Sequence, residues 1–73
     1  MTMDQIENIF QYHKPFGDQA EKYQSIRLLA ADMAGFINLK CPESREKSLA
    51  ITNLQQAVMW ANASIAINEK ETA

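Results

Sequence analysis

Residues 42–67, PESREKSLAITNLQQAVMWANASIAI, hold no glycine and, after Pro42, no proline. A stretch of that length without a helix breaker reads as a single helix. Pro42 suits its first turn, where a missing N–H is no loss. At about 100° per residue, Ile51, Leu54, Val58, Ala61 and Ile65 fall on one face, and Leu49, Trp60, Ala63 and Ile67 fall roughly opposite. A helix that is apolar on both sides is buried on both sides. Whatever this chain does, its fold must cover two faces of its longest element.

Two further helices precede it. Thr2-Met3-Asp4-Gln5 fits a capping box, with the Thr2 hydroxyl on one exposed N–H and Gln5 reaching back. Ile6, Ile9 and Phe10 continue as a single apolar stripe. This helix, about 3–12, fades near Tyr12 because Pro15 disfavours a helical Lys14. His13-Lys14-Pro15-Phe16-Gly17 marks a turn. Asp18, with Glu21 three residues on, reads as a second capping box opening a helix over about 18–38. Its stripe is Ile26, Leu29, Ala30, Met33 and Ile37. Gly35 inside it costs about 1 kcal/mol relative to alanine unless a close helix contact uses the missing side chain. Residues 38–42 form the next turn, the third helix spans about 43–68, and the polar tail Glu69 to Ala73 is frayed. So short a connection makes the second and third helices antiparallel. The fold class is all-α: one domain, 1–73, a short N-terminal helix plus a long antiparallel helical hairpin.

One face of the third helix packs on the second, and the other needs a partner. A chain of 73 residues buries only about 60% of its unfolded surface, so small folds lean on disulfides, a metal or self-association. Cys41 is the only cysteine, and with the only histidine, His13, it falls short of the roughly four ligands of a closed zinc site. No metal or cofactor is expected. Self-association remains, so Leu49, Trp60, Ala63 and Ile67 read as a subunit interface. The alternative is that the first helix folds back over part of that face. Seven basic against nine acidic residues, net −2, give no general attraction for DNA, RNA or anionic lipid. The opening MTMDQIENIF lacks the basic start and apolar run of an export signal. No segment approaches the roughly 18 apolar residues of a membrane span. One unpaired cysteine and no export signal fit a reducing cytoplasm.

Three clusters carry candidate chemistry. Phe10, Tyr12, His13 and Lys14 place two aromatics, an imidazole and a cation beside a turn. Aromatic faces stack on nucleobases, and a neighbouring cation can hold phosphate; equally, Phe10 serves as core and His13 as a cap. Lys22 and Arg27 either line a groove or lay their stems along apolar surface with their heads in water. Ser44, Arg45 and Lys47 open the long helix, where unpaired N–H groups favour an anion. Plain capping explains Ser44 and Glu46 but not the basic pair. Catalysis is unsupported: there is no glycine-rich phosphate loop, Cys-x-x-Cys or His-Glu-x-x-His.

Four blocks in order, Phe10-x-Tyr12-His13-x-Pro15, Gln19-x-Glu21-Lys22-Tyr23-x-x-Ile26-Arg27, Pro42-x-Ser44-Arg45-Glu46-Lys47-Ser48-Leu49-Ala50 and Met59-Trp60-Ala61-Asn62-Ala63-x-Ile65-Ala66, resemble the phage anti-CBASS cyclic-nucleotide sponge family. That family shares its helical hairpin with the phage anti-Thoeris sponges. The likeness runs from about Ile9 to Asn68. It implies a compact homo-oligomer, a hexamer, acting in the host bacterial cytoplasm during infection. It also implies binding without cleavage of cyclic dinucleotides such as cGAMP in pockets between protomers. Cyclic trinucleotides occupy a second kind of site in related members, and anti-Thoeris relatives hold cyclic ADP-ribose-type signals. On this resemblance Phe10 and Tyr12 supply stacking platforms, Lys22, Arg27 and Lys14 supply charge to the phosphates, and Ser44 and Arg45 belong to the second site. Two other readings stand beside it: a phosphodiesterase using His13 as acid or base, and a structural bundle that binds a protein partner through the Trp60 face.

Overall fold

A computed structural model describes residues 1–71. Among them the chain forms three helices and no strand: α1 (Met3–Phe10), α2 (Gln19–Lys40) and α3 (Arg45–Asn68). The Thr2 capping box forms: Thr2 Oγ1 accepts from the Gln5 N–H at 3.1 Å, and Gln5 Oε1 accepts from the Thr2 N–H at 2.7 Å. α1 stops at Phe10, two residues short of the expected end, because Gln11 already has extended backbone (φ −80, ψ 144).

The capping box expected at Asp18 does not form. Asp18 (φ −93, ψ 13) makes no side-chain cap bond. A cap residue needs extended backbone to aim its oxygen at the first N–H groups, and Asp18 lacks it. Its carboxylate instead lies 3.5 Å from Lys22 Nζ. Phe16 and Gln19 set the turn: the Phe16 N–H donates to Gln19 Oε1 at 3.1 Å and the Gln19 N–H donates to the Phe16 oxygen at 3.0 Å. Gly17 between them has φ 54, a left-handed conformation that suits glycine.

α2 runs to Lys40, two residues past its expected end, and the Cys41 N–H closes it on the Ile37 oxygen at 2.9 Å. Ser44 caps α3 by accepting from the Lys47 N–H at 3.1 Å. Pro42 therefore lies ahead of the cap rather than in the first turn. The serine hydroxyl satisfies an orphan N–H, which proline has no means to do.

The two long helices pair through Ile26, Ala30, Ala34 and Ile37 of α2 and Ile51, Leu54, Val58, Ala61 and Ile65 of α3, all half-buried. The α2 stripe is rotated from the expected one: Leu29 and Met33 are 71% and 57% exposed. Alanines at 30 and 34 allow a closer approach than the larger pair, and the spacing 26, 30, 34, 37 is itself helical. Gly35 is not explained by a close contact within the chain, since a Cβ built there meets nothing within 4 Å. Leu49 and Trp60, on the second face of α3, are exposed, Trp60 at 75%. α1 reaches only the far end of that face, where Asn8 Nδ2 donates to the Ile67 oxygen at 3.1 Å. Glu69, expected to fray, is held: its N–H donates to the Ile65 oxygen at 3.1 Å and its carboxylate meets Lys22 at 2.7 Å. Residues 72–73 of the expected frayed tail lie outside the described residues.

The result is a slab of 47 × 28 × 13 Å. Its thinnest dimension is about one helix diameter. Domains need at least two packed layers to enclose a core, and this chain has one. Among the described residues no hydrophobic side chain is buried; Gln19 and Lys47, both polar, are the buried ones. The radius of gyration, 15.6 Å, exceeds the roughly 11 Å of a compact chain this long.

Candidate functional site

The turn between α1 and α2 presents the first cluster. Phe10 ends α1 at 83% exposure and Tyr12 follows at 80%, so neither ring is used as core within the chain. Lys14 is exposed as well, whereas His13 between them is half-buried. Its Nε2 lies 2.6 Å from the backbone oxygen of Asn8. A histidine committed in this way has one ring nitrogen left for acid–base work. Among the described residues no group of three or more His, Cys, Asp or Glu side chains is placed to hold a metal ion.

Lys22 stands one turn into α2. Its ammonium meets Glu69 Oε2 at 2.7 Å and Asp18 Oδ1 at 3.5 Å. The hydrogen bond to Glu69, with Asp18 adding its charge and partial desolvation opposing both, holds its pKa above the ordinary 10.5. Lys22 is therefore charged at neutral pH. The contribution of the raised Lys22 pKa is present at neutral pH and is lost as pH rises through that raised value. Lys22 lines a groove with Phe16, Gly17, Asp18 and Glu69 at the open end of the hairpin.

Arg27 faces elsewhere. It borders a groove with Tyr23, Asn62, Ala63 and Ala66, and this groove shares no residue with that of Lys22. Ala63 and Ala66 line it with small side chains beside Tyr23 and Arg27, and Asn62 Oδ1 is buried without a hydrogen-bond partner among the described residues. An aromatic side chain and a planar cation suit a planar ring that carries a phosphate. Ala63, expected at an interface, lines this surface groove. Tyr23 and Asn62 were given no role from sequence. The signal for them was their place inside two of the blocks that carry the resemblance.

The second expected site lies at the hairpin turn. The Ser44 hydroxyl accepts from the Lys47 N–H and donates to the Pro42 oxygen, each at 3.1 Å, which commits its one proton. Lys47 is buried and paired with Glu43. Of the basic pair only Arg45 is exposed. The structure thus distributes the candidate ligand residues: Phe10, Tyr12 and Lys14 on the first turn, Lys22 and Arg27 on different grooves, and Ser44 and Arg45 at the hairpin turn.

Among known proteins, a family model described as Acb2/Tad1, hairpin domain, matches residues 3–66. That span takes in all of α1 and α2 and all but the last two residues of α3. No curated protein and no solved structure matches the chain.

Proposed function

The chain belongs to the Acb2/Tad1 hairpin-domain family, and from that premise we propose that it is a non-catalytic sponge for cyclic oligonucleotide second messengers. In this reading it holds cyclic dinucleotides such as cGAMP intact in the cytoplasm of the infected bacterium. The messenger then never reaches the CBASS effector it would activate. The family match over residues 3–66 carries the reading.

The missing interior supports sites between copies. A folded chain of 8.3 kDa exposes about 4,600 Å² when compact, whereas this one exposes 6125 Å². The excess, about 1,500 Å², corresponds to about two standard interfaces at roughly 800 Å² per partner. A chain with two such interfaces meets more than one neighbour, as in a closed assembly of six. Lys22 and Arg27 occupy separate grooves of one chain, so a single ligand touching both kinds of cation is bounded by two chains. A near-twofold cyclic dinucleotide, with two bases and two phosphates, fits a seam of that kind.

Incubating the protein with a cyclic dinucleotide, denaturing it and analysing the released nucleotide tests the reading. Intact ligand recovered in proportion to protein is the expected result; linear product overturns it. The family description names Tad1 beside Acb2, which favours one second reading, a sponge for cyclic ADP-ribose-type signals of Thoeris. Titrating both ligand classes against the same preparation ranks the two.

A further inference from the structure

His13 separates Tyr12 from Lys14, the two turn residues that the sponge reading sets against the ligand. Both neighbours are exposed while His13 is half-buried. Its Nε2 is 2.6 Å from the Asn8 backbone oxygen. A carbonyl has no proton to give, so the imidazole donates, and Nε2 carries hydrogen. Asn8 lies in the last turn of α1, where carbonyls have no partner within the helix. The Asn8 side chain in turn donates to the Ile67 oxygen, an orphan carbonyl in the last turn of α3. Two helix ends are thus satisfied in series, α3 by Asn8 and α1 by His13. Among the described residues Tyr12, His13 and Lys14 make no backbone–backbone hydrogen bond. The His13 side chain therefore ties this part of the turn to α1, which Asn8 in turn ties to α3.

We infer that His13 is a positioning residue of the messenger site: it holds the turn so that Tyr12 and Lys14 are presented in one arrangement, without touching the ligand itself. This rests on the sponge reading for the contacts of Tyr12 and Lys14. A turn ordered in advance leaves less freedom to lose on binding, which raises affinity without adding a contact. It also gives His13 a use that acid–base chemistry does not require.

The test compares His13→Ala with His13→Gln, whose Nε2 can reach the same carbonyl but does not titrate. Two quantities are read: affinity for a panel of cyclic dinucleotides, and the backbone amide {1H}–15N NOE of Tyr12 and Lys14 in the ligand-free protein. In His13→Ala the NOE falls at both positions and affinity drops about tenfold, with the light-scattering mass unchanged. In His13→Gln both return to near the wild-type values. Adding His13→Ala to Tyr12→Ala costs no more affinity than Tyr12→Ala alone, because the first acts through the second. Unchanged affinity and NOE in His13→Ala overturn the inference, as does a folded His13→Gln that binds as poorly as the alanine variant. If His13→Ala does not fold, His13→Gln decides alone. Should the wild-type protein bind none of the panel, the sponge reading falls and the NOE judges the tether: a fall upholds it, no change overturns it.

Discussion

At Lys22 the cation is already paired from within. The ammonium is held by Glu69 at 2.7 Å and by Asp18 at 3.5 Å, so a phosphate binding there, as proposed, would displace a carboxylate. The two partners of this pair should then respond with opposite signs. Lys22→Ala removes a charge-assisted hydrogen bond to the ligand and lowers affinity about tenfold or more. Glu69→Gln removes the competitor and raises affinity by up to about fivefold, the upper range for a solvent-exposed ion pair. Calorimetric titration at two salt concentrations reads both, with the gain in Glu69→Gln shrinking at high salt. A loss of affinity in Glu69→Gln would place that carboxylate on the ligand instead. Glu69 was read from sequence as the start of a frayed tail. Nothing local marks a carboxylate as the partner of a lysine 47 residues earlier, because that pairing exists only once the hairpin closes.

At the scale of elements, local chemistry was legible where the signal and its answer lie within a few residues. Thr2 and Gln5 cap α1 as their spacing dictates, and the lack of helix breakers after residue 42 gives α3. Asp18 shows the limit: the same spacing with Glu21 fails because Gln19 turns back to Phe16 and Lys22 takes the carboxylate. The α2 stripe keeps Ile26, Ala30 and Ile37 as expected, but hydrophobicity also pointed to Leu29 and Met33, which are exposed, where packing against a neighbouring helix uses Ala34. Tyr23 and Asn62 are not legible as a pair in the sequence because only the closed hairpin brings them to one groove. The candidate second site separates into a serine that caps α3 and an exposed arginine. Ser44→Ala removes the cap of α3, about 1 kcal/mol, and should lower Tm by about 4–8 °C for a chain of this size. Arg45→Ala touches no described ion pair and should leave Tm in place while weakening any cyclic trinucleotide binding. Circular dichroism melts and one titration check both outcomes.

At the scale of the molecule, a slab 13 Å thick with no apolar side chain buried among the described residues would, on the proposed assembly, complete its core with copies of itself. Trp60, 75% exposed on the second face of α3, is the substitution that exposes this dependence. Trp60→Asp puts an unpaired charge into a seam and should reduce the light-scattering mass to that of single chains, with loss of helical signal rather than a stable folded monomer. For the wild-type protein Tm should climb with protein concentration; a concentration-independent melt and an intact Trp60→Asp oligomer would both refute assembly through this face. On the proposed reading, the thinness of the slab has a kinetic consequence for the infected cell. If messenger berths exist only where several chains converge, early transcripts yield no capacity at all: scattered polypeptides are protease substrates, not traps. Capacity then switches on abruptly once synthesis passes a threshold copy number. Timing and burst size of expression, more than the quality of any one contact, decide whether the alarm is silenced before it spreads.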